Sequence, residues 1–190
     1  METITREIIR NHDGHDAVYK FTTYPVIYRD LGDYENILQK LFIYLKYVFH
    51  AEIPERVQSP SRMPTLILQV ERLNPNHEYV KYAKVANYIG LGRGQHWKIQ
   101  EYFMRSNPYT IAVEAPVFDD NILGNMDLLN YNPESGMVEI LDFKPKAHKE
   151  KHAATQLYWY RELLSKQSGI PKSKIECFYF DDMNCYKVKF

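Results

Sequence analysis

The chain has 190 residues, 45% of them hydrophobic and 25% charged, a composition that argues against both disorder and a membrane protein. Lysine plus arginine equals aspartate plus glutamate at 24 each, so a formal net charge of zero gives no global case for nucleic acid, and any such binding must come from a local patch. No apolar run approaches the roughly 20 residues of a transmembrane helix, and Met1-Glu2-Thr3-Ile4-Thr5-Arg6-Glu7 does not read as a signal peptide, so no membrane association and a cytoplasmic location are expected.

A chain of this size is expected to form one domain with a sizeable core. Residues 1–32 give mixed signals, with a strand suggested around Tyr24 to Tyr28. From about Tyr34 to His50 a helix is clear, because Ile37, Leu38, Leu41, Leu45, Val48 and Phe49 recur at helical spacing. Pro54 to Pro64, with Ser59-Pro60-Ser61 inside it, reads as a loop and helps delimit an N-terminal helical portion, residues 1–75, from the core at 76–190. Helices follow at about Glu78 to Ile89 and, after Gly90-Leu91-Gly92, at Arg93 to Arg105.

The period then changes from helix to strand. Thr110 to Phe118, Ile122 to Tyr131 and Met137 to Lys144 read as three strands, separated by Asp119-Asp120-Asn121 and by the turn at 132–136. Lys151 to Ser168 is a helix stopped by Gly169-Ile170-Pro171, and strands at Lys174 to Phe180 and Cys185 to Phe190 come last. Three hairpin-connected strands followed by a helical crossover imply an α/β arrangement, a mixed central sheet flanked by helices. Cys177 and Cys185 flank the turn at 181–184, where pairing of Phe180 with Cys185 would put Cys177 opposite Val188. Buried free thiols are therefore expected rather than a disulfide. Two cysteines also fall short of the four thiolates usual for an iron–sulfur cluster.

Chemistry concentrates in Gly124-Asn125-Met126-Asp127 and in Ile140-Leu141-Asp142-Phe143-Lys144. Asp142 and Lys144 are two apart on one strand and share a face, while the turn at 132–136 can bring Asp127 beside Asp142. Two hard carboxylates that close could hold Mg²⁺ or Mn²⁺, and a neighbouring lysine could steady a negatively charged nucleophile or transition state. The competing reading is a buried structural ion pair, since Val138, Ile140, Leu141 and Phe143 make the strand apolar on both faces. Lys146, Lys149 and Lys151, with His148 and His152, form the densest local basic run and adjoin this strand. His96, Glu114, Gln156 and Tyr160 could reach the same cleft, the last two sharing a helix face four residues apart.

In this order the residues resemble the RecB-type branch of the PD-(D/E)XK nuclease superfamily, which includes the CRISPR-associated single-strand exonucleases. The resemblance spans roughly Leu91 to Leu164. It rests on Arg93-Gly94-Gln95-His96, with His96 two rather than three positions after Gly94, on Gly124 to Asp127, on Asp142-Phe143-Lys144, and on Gln156-Leu157-Tyr158-Trp159-Tyr160. It implies a restriction-endonuclease-like fold and a Mg²⁺- or Mn²⁺-dependent DNA nuclease without the iron–sulfur cysteines. Asp127, Asp142, His96 and the carbonyl of Phe143 would ligate metal, Lys144 would position or help deprotonate the attacking water, and Gln156 and Tyr160 would hold the DNA backbone. Glu114 would bind a second metal through water or pair with Arg93 or Lys98. Single-stranded DNA, ends or flaps are the substrate implied, with sixteen tyrosines as candidate stacking surfaces. The alternatives are a structure-specific endonuclease or junction resolvase, and a non-catalytic nucleic-acid-binding module of the same fold. The sequence leaves exo- or endonuclease action and oligomeric state open, a homo-oligomer included.

Overall fold

The structure is a computed structural model that describes residues 4–12, 15–23, 35–52, 57–89 and 95–190. Twelve elements follow in chain order: β1 (Ile4–His12), β2 (His15–Thr23), α1 (Glu35–His50), β3 (Gln69–Arg72), α2 (Glu78–Ile89), α3 (Gln95–Ser106), β4 (Thr110–Phe118), β5 (Leu123–Asn132), β6 (Met137–Phe143), α4 (Ala153–Ser168), β7 (Ile175–Phe180) and β8 (Cys185–Lys189). The eight strands form one mixed sheet in the order β1-β2-β4-β5-β6-β7-β8-β3. Every pairing is antiparallel except β6 with β7, where α4 carries the chain over the sheet as parallel pairing requires.

The central strands are buried on both faces, which is why β4, β5 and β6 read as near-continuous apolar runs. On one face α1 and α4 cover Ala112, Leu129, Ile140 and Cys177; on the other α2 and α3 cover Val113, Leu128, Leu141 and Phe178. Tyr44 spends its hydroxyl on the carbonyl of Pro116 at 2.7 Å, tying α1 to β4 without an unsatisfied polar group. The chain is thus a three-layer α/β structure.

Local chemistry sets the boundaries. Asn132 Oδ1 accepts from the N–H groups of Glu134 and Ser135, and Gly136 takes φ 64°, so the β5–β6 connection is a tight turn. Gly169 closes α4 in a left-handed conformation at φ 68°, its N–H returning to the carbonyl of Ser165. Phe180 pairs with Cys185 across the last hairpin, and both cysteines are buried free thiols.

Residues 1–75 contribute the expected helix and also three strands of the same sheet. Among them, β1 and β2 form a hairpin whose ladder closes on His12 and His15, while β3 lies along β8 at the opposite edge. The strand suggested at Tyr24 to Tyr28, and residues 90–94 before α3, lie outside the described residues. No helix among the described residues is long and apolar enough to cross a membrane.

Gly124 matters for packing. A Cβ there would sit 2.9 Å from Pro60 Cγ and closer still to Tyr160 Cε1. The missing side chain therefore lets the Tyr160 ring lie directly on β5, at the start of the segment that carries Asp127. Gly124→Ala is expected to destabilise the protein by about 1–3 kcal/mol through overpacking, read as a lower urea midpoint at unchanged slope. A wild-type midpoint would show that α4 yields here at no cost.

Candidate active site

The registers of β4, β5, β6 and β7 bring three acids together. Val113 faces Leu128, Leu128 faces Leu141, and Ala115 faces Met126. The next step of the ladder therefore sets Glu114, Asp127 and Asp142 side by side on adjacent strands, with Tyr179 paired to Asp142 from β7. Asp142 is fully buried and Asp127 nearly so.

Each acid is held differently. Asp127 Oδ2 accepts the backbone N–H of Phe143 at 2.9 Å and lies 3.7 Å from His96 Nε2. Asp142 Oδ2 lies 2.8 Å from Lys144 Nζ, but neither of its oxygens has a well-directed hydrogen bond among the described residues. Glu114 takes φ 52°, a left-handed conformation unusual for a non-glycine residue inside a strand, and its Oε1 accepts from Gln100 Nε2 at 2.5 Å. The partners expected for Glu114 were Arg93 or Lys98; Arg93 lies outside the described residues, and the hydrogen bond found is to Gln100.

Burial pushes Asp127 up to about 7, with repulsion from Glu114 adding to it and Lys144 acting the other way. Asp142 is likewise pushed up to about 7, first by burial and then by Asp127. Burial acts to lower the Lys144 ammonium, but attraction to Asp142 and Asp127 outweighs it and the net shift is upward. His96 is half-exposed and stacks edge-on against Phe143, with ring centroids 5.3 Å apart. Burial and then Lys144 shift it downward, favouring the neutral imidazole, against opposing contributions from Asp142 and a backbone hydrogen bond with Phe143.

α4 lines the same site from the other side of the rung. Gln156 Nε2 donates to the Tyr160 hydroxyl at 2.6 Å, and Tyr160 is raised well above its ordinary range by burial and then by the charge of Asp142. Tyr160 is itself buried, so of the pair Gln156 is the more accessible. Lys146, Lys149 and Lys151 are exposed on the loop leaving β6. That loop is anchored by Asp181, whose Oδ2 accepts the N–H of Ala147 at 2.7 Å while Oδ1 accepts those of Met183 and Asn184.

Gln100 and Asp181 were not singled out from the sequence. Gln100 was within reach of it, since it lies four residues after His96 and so on the same face of α3. Asp181 gave no such signal, because its role depends on two segments 34 residues apart.

Among the described residues no three His, Cys, Asp or Glu side chains form a ready-made ion cage. The donor set is nonetheless suited to a hard divalent cation that keeps several of its waters: two adjacent carboxylates, one with both oxygens short of hydrogen bonds, and a neutral imidazole beside them. No protein-family model matches this chain, and neither a curated protein nor a solved structure is significantly similar to it.

The raised carboxyls have a sign-definite effect on stability. The folded protein holds these protons more tightly than the unfolded chain does. Their contribution is therefore fully present below the ordinary carboxyl value of 3.8 and is lost as pH rises through about 7. Asp142→Asn is expected to raise the melting temperature of the metal-free protein at pH 8 by roughly 3 °C or more, the shift of about 1 kcal/mol in a chain of this size, and by much less at pH 4. Mn²⁺ should raise the wild-type value at pH 8 and leave the variant's nearly unchanged. Equal wild-type and variant melting temperatures at pH 8 would show that the carboxylates are not in conflict.

Proposed function

We propose that the chain is a divalent-metal-dependent deoxyribonuclease that hydrolyses phosphodiester bonds, with single-stranded DNA, ends or flaps as its substrate. The observation that carries this reading is the pair of buried carboxylates on the rung: Asp127 and Asp142 face one ammonium among the described residues, that of Lys144. A structural ion pair would leave one of the two buried aspartates uncompensated at the centre of a sheet, a costly arrangement without a further cation. The reading includes the finer fold assignment, a restriction-endonuclease-like core built from α3, β4, β5, β6, α4 and β7.

In this reading Asp127 and Asp142 would hold Mg²⁺ or Mn²⁺ with the carbonyl of Phe143 and the imidazole of His96, and a metal bound there would supply Lewis acidity toward a water and a phosphate oxygen. Lys144, held as an ammonium by Asp142, acts by charge and hydrogen bonding on the nucleophile or a phosphate oxygen rather than by taking a proton. Gln100 fixes the Glu114 carboxylate beside Asp127, from where it would reach a second metal through water. Gln156 presents its amide to the DNA backbone and is oriented by Tyr160.

Asp142→Asn is expected to lower Mg²⁺- or Mn²⁺-dependent cleavage of end-labelled linear and closed circular single strands by at least about a hundredfold, the scale of losing a key charge-stabilising group, while the protein stays folded. Wild-type-like cleavage by this variant would sink the metal-ligand role. Cleavage of the circles by the wild-type protein would identify endonuclease action.

Replacing Lys146, Lys149 and Lys151 together by Ala should weaken single-strand binding and flatten its salt dependence, by a slope of up to about 0.7 for each phosphate that is no longer neutralised. An unchanged slope would remove this loop from the DNA path.

A further inference from the structure

α2 carries a surface stripe that neither the core nor the acidic rung uses. Lys81, Lys84, Val85 and Tyr88 follow the i, i+3, i+4, i+7 pattern of one helix face, and all four are exposed. Tyr88 is 92% exposed, far beyond what a tyrosine needs to keep its hydroxyl wet. The stripe runs along α2 and its C-terminal end, at Tyr88, lies at the site end of the molecule. Tyr82 packs against Tyr102 and Phe103 on α3, and α2 ends at Ile89, only six positions before α3 begins at Gln95, next to His96. Asn87 donates to Asp182 at 3.0 Å, tying that turn to the β7–β8 connection, whose Asp181 in turn anchors the lysine loop after β6.

Two ammoniums, one and two turns before a solvent-facing aromatic ring on the same helix face, match a strand that offers phosphates and bare bases together. A duplex hides its base faces, and a protein partner would find lysines unfavourable at the centre of an interface. We propose that the Lys81–Lys84–Tyr88 face of α2 is a second DNA-contact surface, which binds unpaired nucleotides outside the reaction centre by stacking a base on Tyr88 and pairing phosphates with Lys81 and Lys84. This deepens the nuclease reading and rests on it for the identity of the polymer. Because the Tyr88 end of the face is tied through Asp182 and Asp181 to the lysine loop, a strand of sufficient length reaches both, and affinity grows with strand length until the α2 face is filled.

The test is fluorescence anisotropy in EDTA, where no cleavage occurs, with single-stranded oligonucleotides of increasing length, abasic versions of them, and duplex. Tyr88→Ala is expected to weaken binding of long single strands about 5- to 100-fold and Tyr88→Phe to retain it, with little change for abasic strands. Lys84→Ala should reduce the salt slope on ordinary and abasic strands alike. Equal affinities of wild type and Tyr88→Ala for long strands would overturn the proposal. So would an equal loss on ordinary and abasic strands, or no single-strand binding by the wild type. A change in oligomeric state on Tyr88→Ala with unaltered DNA affinity would likewise overturn it and give the face to a second copy of the chain. Metal-dependent cleavage of short oligonucleotides, measured in parallel, isolates the nuclease reading: cleavage without any Tyr88 effect refutes only the α2 surface, and Tyr88-dependent binding without cleavage refutes only catalysis.

Discussion

Two carboxylates side by side in the interior of a sheet are the constraint around which this molecule is arranged. Asp127 and Asp142 lie on adjacent strands at a point where neither is well solvated, and Glu114 extends the same line on the third strand. Charges so close in a poorly hydrated place repel strongly, and the interior offers little screening to soften that repulsion. The protein meets part of the cost with Lys144 and with the N–H of Phe143, and part by retaining protons on the acids. Beside the two aspartates, His96 is the exposed edge of the group.

The scaffold keeps that deficit from relaxing. A parallel β6–β7 pair is covered on one face by its own crossover helix and on the other by α2 and α3, so the acidic strands cannot slide or turn their side chains to solvent. The backbone at Glu114 departs from strand geometry where the acids crowd, and Gln100 holds the resulting side-chain position. On the opposite side the Tyr160 ring presses onto the bare backbone of Gly124, which sets how close α4 stands to the rung.

Much of this was legible because it is written in local patterns. The helix over 35–50, the three strands from 110 to 143 and the last hairpin follow from apolar periodicity and turn residues, and the cross-strand meeting of Asp127 and Asp142 follows from the length of the turn at 132–136. The hairpin of β1 and β2 escapes such a reading although Asp13-Gly14 stands between the paired residues His12 and His15, a dipeptide that commonly joins two strands. Its charged and polar residues, interleaved with few apolar ones, obscure the alternation. Strand β3 is beyond local reading, since Gln69, Val70, Glu71 and Arg72 are all exposed and become a strand only because β8 offers an edge. The positions of Gln100 and Asp181 likewise depend on contacts between segments, which composition and spacing do not encode.

β3 leaves the sheet with an open border. Among the described residues its outward backbone groups are not taken up by a further strand in the sheet order, and an unguarded border of this kind invites another chain to continue the ladder. Here the border carries its own guard. Glu71 pairs with Lys189 at 2.6 Å and Arg72 donates to Asn184 at 2.7 Å, leaving Val70 as the single apolar residue of the strand. A newcomer would have to match this pattern of alternating charge before gaining any backbone hydrogen bond. Charged side chains along an edge strand disfavour unspecific fibre-like growth from the β3 border.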